Sequence, residues 1–169
     1  LEERQIHGLA PSVDNDSDPV WSPDGSRIAW LRFPNEKQQL PFAPRREGLP
    51  WSILIADAVT GATDTLWTAP EGPGSAFRGI SAGRQLFWTD NGYLVFPCEG
   101  SGWMHLWAIP AGGGKARDLM PGDFEVQYVS LPPGGNQLYY SSNQNDINRQ
   151  HIWRINPAAD SPEQITRGE

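Results

Sequence analysis

Apolar residues recur along this chain in short alternating runs, each closed by a turn signal. Residues 18–32 read Asp-Pro-Val-Trp-Ser-Pro-Asp-Gly-Ser-Arg-Ile-Ala-Trp-Leu-Arg. Val20 and Trp21 open a strand. Ser22-Pro23-Asp24-Gly25 forms the turn, since Pro fixes φ and Gly accepts a positive one. The next strand alternates, with Ile28 and Trp30 on one face and Ala29 and Leu31 on the other. Both faces are apolar, as in a strand stacked between two sheets. A second hairpin follows: Trp51, Ile53 and Ile55 share a face, Asp57 to Gly61 turn the chain, and Asp64 to Trp67 return it.

This four-strand pattern then repeats. Gln85 to Trp88, the turn at Thr89-Asp90-Asn91-Gly92, Tyr93 to Phe96, His105 to Ile109, the glycines 112–114, and Ala116 to Leu119 make a second copy. Val126 to Val129, Pro132-Pro133-Gly134-Gly135, Gln137 to Tyr140, His151 to Ile155, a turn at Asn156 to Asp160, and Gln164 to Thr166 make a third. Gly92 and Gly135 are 43 residues apart, and Trp107 and Trp153 are 46 apart. Four-stranded propeller blades repeat at about 40–50 residues. The first interval, Gly25 to Gly92, is 67 residues. The surplus lies in a Pro- and charge-rich loop at 34–50 and in the connection 70–84.

The pattern predicts an all-β chain: about three four-stranded antiparallel blades of a β-propeller. Residues 1–17 read as irregular, or as a remnant of a preceding blade. The blades follow at 18–69 with the inserted loop 34–50, at 70–122 and at 123–169. Closed propellers use about 4–8 blades, so an open fragment of a larger ring is expected. Its open edges and apolar blade faces predict self-association.

Composition agrees. With 18 Gly and 16 Pro among 169 residues, long helices have little room. The net charge of −7 argues against non-specific nucleic-acid binding and against docking on anionic lipid. No apolar run approaches the ~18 residues of a membrane span. The single Cys98 rules out an internal disulfide and a multi-cysteine metal site. Neither metal nor cofactor is expected. Bacterial cytoplasm and periplasm are both compatible with the sequence.

Some residues imitate chemistry. Gly79-Ile80-Ser81-Ala82-Gly83 fits the nucleophile-elbow pattern G-x-S-x-G, but an elbow needs a strand before it and a helix after it. Here a glycine-rich loop precedes and a strand follows, so Ser81 reads as loop and no catalytic residue is assigned. His105 and His151 each start the third strand of a blade, so they read as structural residues at a repeat position. Glu99, Trp103 and Arg149 are the candidate substrate contacts. Glu99 ends an apolar strand beside Gly100-Ser101-Gly102 and Trp103, where a carboxylate next to an aromatic suits a charged amine. Arg149 follows the polar run Asn143-Gln144-Asn145-Asp146.

The string from Pro19 to Ala29, Pro-Val-Trp-Ser-Pro-Asp-Gly-Ser-Arg-Ile-Ala, resembles the TolB-type propeller repeat. Phe96 to Trp107, Leu119 to Val126 and Tyr140 to Trp153 resemble segments of bacterial dipeptidyl peptidase IV-like enzymes of the prolyl oligopeptidase family. With the 50–70 hairpin, the resemblance covers nearly the whole chain. It implies a non-catalytic propeller that gates and orients peptides for a separate C-terminal α/β-hydrolase domain, which would carry the Ser-Asp-His triad. The parent would be a serine exopeptidase of dipeptidyl peptidase IV-like or acylaminoacyl peptidase-like type. In such enzymes propeller glutamates hold the substrate's amino terminus, but Glu99 stands alone here and its neighbours differ. The third turn also departs from the family, with Pro132-Pro133-Gly134-Gly135 in place of Ser-Pro-Asp-Gly. The alternative reading is a TolB-like periplasmic protein-binding propeller with no catalytic partner. A sugar-modifying propeller would need clustered channel carboxylates, and the repeats carry no locked set of them.

Overall fold

In the computed structural model, residues 8–36, 45–159 and 161–168 are described. Parts of the expected N-terminal remnant (1–7) and of the inserted loop (37–44) lie outside these residues. Three four-stranded antiparallel sheets make up the described chain. The first holds β1 (Asn15–Trp21), β2 (Arg27–Phe33), β3 (Ser52–Asp57) and β4 (Thr63–Thr68). The second holds β5 (Phe87–Trp88), β6 (Tyr93–Cys98), β7 (His105–Pro110) and β8 (Arg117–Asp118). The third holds β9 (Val126–Ser130), β10 (Leu138–Ser142), β11 (His151–Ile155) and β12 (Glu163–Gln164). Strands neighbour one another in chain order in every sheet, so each is a meander and none closes on itself. This is the expected all-β, open propeller fragment.

Strand limits differ from the sequence reading in one useful way. β1 begins at Asn15, not Val20, because Asn15, Asp16 and Ser17 pair with Phe33, Arg32 and Leu31. A bulge between Ser17 and Val20 hid this pairing by breaking the alternation. At its centre Asp18 takes φ of 53°, in the left-handed region. Pro19 follows it and cannot donate to the ladder.

The alternation read from the sequence decides which faces meet. Ala29, Leu31, Ile53 and Ile55 of the first sheet pack on Leu94, Phe96 and Ile109 of the second. Trp51 lies at the centre of this junction, with ring centroids 4.9 Å from Trp67 and Phe77 and 5.5 Å from Phe96. These contacts are edge-on, the arrangement that the ring quadrupoles favour. The other side of the second sheet, with Phe87, Val95, Leu106 and Ala108, packs on Leu138, Tyr140, Trp153 and Ile155 of the third. The middle sheet is thus buried on both sides, which explains the nearly continuous apolar runs Leu94–Phe96 and Leu106–Ile109. Burying each such side chain contributes about 1.5–3 kcal/mol, as an upper bound.

The two outer faces are unlike. Trp30, Leu54 and Ala56 on the first sheet are buried, with Leu9 and Ala10 against them. On the third sheet Tyr128 and Ile152 stay exposed, at 59% and 40%.

The first hairpin turns share one chemistry. The Ser22 hydroxyl donates to Asp24 Oδ1 at 2.6 Å and accepts the Arg27 N–H at 2.9 Å. The Thr89 hydroxyl does the same with Asn91 Oδ1 at 2.6 Å and the Tyr93 N–H at 3.1 Å. Gly25 and Gly92 take positive φ after these side chains. In the third turn the hydroxyl is lost, and the left-handed glycine is Gly134, not Gly135.

Arginines tie neighbouring blades at the hairpin-turn end. Arg27 donates to Ala111 O at 2.8 Å while its guanidinium lies 5.2 Å from the centroid of the Trp88 ring. Arg117 donates to Ala159 O at 2.7 Å.

Candidate functional site

A meander sends alternate connections to opposite ends of a sheet. The β2–β3, β6–β7 and β10–β11 loops and both inter-blade connections therefore gather on one face of the molecule, opposite the hairpin turns. Contacts are made across this loop face: Arg46 of the first blade donates to Gly102 O of the second at 3.3 Å, and within the third blade the Glu125 N–H donates to Asn143 Oδ1 at 2.9 Å. Glu99 and Trp103 sit on the β6–β7 loop and Arg149 on the β10–β11 loop. All three candidate residues thus lie on the loop face, on adjacent blades.

Their surroundings differ. Glu99 is buried, with its Oε1 held at 2.9 Å by Arg78 Nη1, from the connection between the first two blades. Its Oε2 is buried without a hydrogen-bond partner among the described residues. Arg78 is itself more than half exposed, so the ion pair has one dry end and one wet end. Trp103 is part-exposed, at 38%. Arg149 Nη1 approaches Asp146 Oδ2 at 3.6 Å, an exposed pair of the kind that contributes little to stability. Next to Glu99, burial pushes the Cys98 thiol up to about 11, so it stays protonated and inert.

An open cavity of about 190 Å³ adjoins the ion pair. Arg78 and Glu125 bring charge to its walls, Met104 and Val126 bring apolar surface, and the backbone of Gly79 to Ser81 closes one side. The Glu125 carboxylate forms no ion pair among the described residues. Sequence reading passed over Arg78 and Glu125. The signal that could have found them is position, because both lie in inter-blade connections, Glu125 directly before β9.

Two arrangements imitate a hydrolase and fail on geometry. Ser81, from the G-x-S-x-G string, lies in extended backbone beside β9. Its N–H donates to Gln127 O at 3.0 Å and it bridges Tyr128 in parallel. It has neither the strand before it nor the helix after it that an elbow needs. Ser101, His105 and Asp118 also come together. The Ser101 Oγ lies 3.1 Å and Asp118 Oδ2 2.7 Å from the same His105 nitrogen, Nδ1. A catalytic triad needs the hydroxyl on Nε2, but here Nε2 faces Phe124 O at 3.2 Å. Fully buried, His105 reaches Asp118 through Nδ1 and Phe124 O through Nε2, and so pins the second blade to the connection that follows it. His151 lies 3.7 Å from Asp146, in the next blade. Among the described residues no three His, Cys, Asp or Glu side chains group as a metal site.

Comparison with known proteins agrees with this architecture. The family model of the dipeptidyl peptidase IV N-terminal region matches residues 60–169. An Aspergillus clavatus protein described as "Probable dipeptidyl peptidase 4" is 31% identical over 64 residues, covering 37% of this chain and 8% of its own length. A puromycin-hydrolyzing peptidase from Mycobacterium tuberculosis superposes on 94% of this chain with a TM-score of 0.61, at 17% identity and over 23% of its own length. TolB from Acinetobacter baumannii superposes on 94% with a TM-score of 0.55, at 17% identity and over 34% of its length. An oligogalacturonate lyase from Vibrio parahaemolyticus reaches 0.69 over 92% of this chain and 42% of its own, at 14% identity. At such identities these superpositions establish the fold. The chain spans under half the length of each of these relatives. It is a partial β-propeller that shares its fold with these proteins, and with more than half its length matched it belongs to the dipeptidyl peptidase IV N-terminal region family.

Proposed function

We propose that this propeller segment orients peptide substrates for a separate α/β-hydrolase domain of a serine exopeptidase. The observation that carries this reading is the charged cavity between Arg78 and Glu125, on the one face where the loops of all three blades gather. A ligand there meets a cation, a carboxylate and apolar floor atoms together, the mixture of groups that fixes orientation in binding pockets. Trp103 and Arg149 extend the same face as peptide contacts. Glu99 acts through Arg78, fixing the guanidinium at the cavity wall. Hydrolysis would proceed by acyl transfer to serine and then to water, on residues this segment does not supply.

The test is hydrolysis of a panel of dipeptidyl- and aminoacyl-naphthylamides by a longer protein that carries both this segment and its downstream sequence. Cleavage by the longer protein, with none by the 169-residue chain, is expected. Absence of cleavage by a folded longer protein would move the assignment to a protein-binding propeller of the TolB kind.

A further inference from the structure

Of the asparagines in the chain, only Asn91 precedes a glycine. It stands exposed in the turn between β5 and β6, and its side-chain amide is held at both ends. The Thr89 hydroxyl donates to Oδ1 at 2.6 Å, while Nδ2 donates to Asn156 Oδ1, in the third blade, at 2.9 Å. Asn156 Oδ1 also accepts the Ala158 N–H at 2.9 Å. A backbone donor requires an acceptor, so this bond sets the orientation of both amides.

The first blade carries the same turn with an acid in this place. Ser22 donates to Asp24 as Thr89 donates to Asn91, and Gly25 takes a positive φ as Gly92 does. The turn itself therefore accommodates a carboxylate. The seam with the third blade does not, because Asn156 Oδ1 needs a donor opposite it.

The surroundings of Asn91 also favour chemistry at its amide. A hydroxyl at 2.6 Å from Oδ1 polarises the carbonyl and stabilises the negative charge that develops on that oxygen when a nucleophile adds at Cγ. The neighbouring nucleophile is the Gly92 nitrogen. Gly92 has no Cβ to shield the approach, and the space where one would stand is open. One contact opposes attack: the Gly92 N–H donates to Thr89 O at 3.0 Å and must leave it first.

We infer that Asn91 is a self-modifying site whose conversion to an acid releases the third blade's hairpin turn from the second blade. The Gly92 nitrogen gives its proton to a solvent base and forms a bond to Asn91 Cγ. The Cγ–Nδ2 bond breaks, and Nδ2 takes up a proton and leaves as ammonia. Water then opens the cyclic imide at either carbonyl, leaving an aspartate or an isoaspartate at position 91. One water is consumed and one ammonia is released, with no change of oxidation state. The product lacks the donor to Asn156, so two acceptors face each other across the seam.

The experiment is peptide mass spectrometry of the folded chain during incubation at mildly alkaline pH, with isoaspartate read by enzymatic methylation. We expect position 91 to convert at least tenfold faster than any other asparagine. Thr89→Val is expected to slow that conversion, and Thr89→Ser to restore it. Asn91→Asp, which reproduces one product, is expected to speed hydrogen exchange of the Ala158 N–H at least threefold by NMR, while the Arg27 N–H in the first blade's turn exchanges as before. Persistence of Asn91 in the folded chain when it converts in urea would overturn the inference. So would conversion no faster than at other asparagines, equal or faster conversion in Thr89→Val, or unchanged Ala158 exchange in Asn91→Asp.

Discussion

The carboxylate of Asp18, in the inner strand of the first blade, accepts the backbone N–H of Gln85, at the start of the second, at 2.7 Å. Asp18 reaches it only because its backbone adopts a left-handed φ, a conformation that Asp and Asn tolerate better than other side chains. Gln85 in turn braces Ile80, beside the Ser81–Tyr128 bridge, so one residue in left-handed backbone links to all three blades. Asp18→Ala should lower unfolding stability by roughly 1–3 kcal/mol, from a lost charged acceptor and a disfavoured φ. Asp18→Asn should recover much of the loss. Urea denaturation followed by tryptophan fluorescence reads both, and an unchanged midpoint for Asp18→Ala would refute the tie.

The aromatic junction between the first two blades predicts a large effect from truncation. Phe96 is fully buried with its ring against Trp51 and Trp67. Phe96→Ala should cost about 3–5 kcal/mol. Val59→Ala, at an exposed hairpin tip, should cost almost nothing. Similar midpoints for the two variants would show that the blades do not unfold together.

Acid should loosen the first hairpin last among its carboxylate-held turns. Hydrogen bonds from the Ser22 and Ser26 side chains and the Ser26 N–H hold the Asp24 carboxyl down at about 2. A depressed pKa adds stability that is complete above the unfolded value near 4 and is lost as pH falls through about 2. NMR titration of the Asp24 carboxyl should show a midpoint well below that of an exposed aspartate. Asp24→Asn should remove this part of the pH dependence. A midpoint near 4 would sink the account.

The third sheet leaves Tyr128 and Ile152 uncovered, which predicts association between copies of the 169-residue chain. Light scattering should show mass rising with concentration, and Ile152→Lys should hold the chain as a monomer. A monomer mass for the parent chain at every concentration would contradict this.

Most of the fold was legible because each strand carries its own period. Ile28 against Ala29, and Leu54 against Ile55, already separate the two faces of the first sheet. The repeated Ser22-x-Asp24-Gly25 and Thr89-x-Asn91-Gly92 turns set the register. β1 was read short because its bulge interrupts the alternation. The site was less legible. Glu99 stands in a glycine-rich context, yet it is buried, and its ionic partner Arg78 lies 21 residues earlier in the chain. Glu125 gave no local signal at all. It lines a cavity whose opposite wall belongs to another segment of the chain, and such juxtapositions arise only once the blades are stacked.

The sole cysteine makes the junction of the first two blades measurable in time. Cys98 is enclosed where those blades meet, and its thiol cannot react with an alkylating reagent while they are together. Its labelling rate is therefore a stopwatch for their separation. At fast reclosing the rate reports the equilibrium fraction of molecules in which that seam is open. A ligand that staples the two blades would slow the stopwatch, whatever part of the surface it touches.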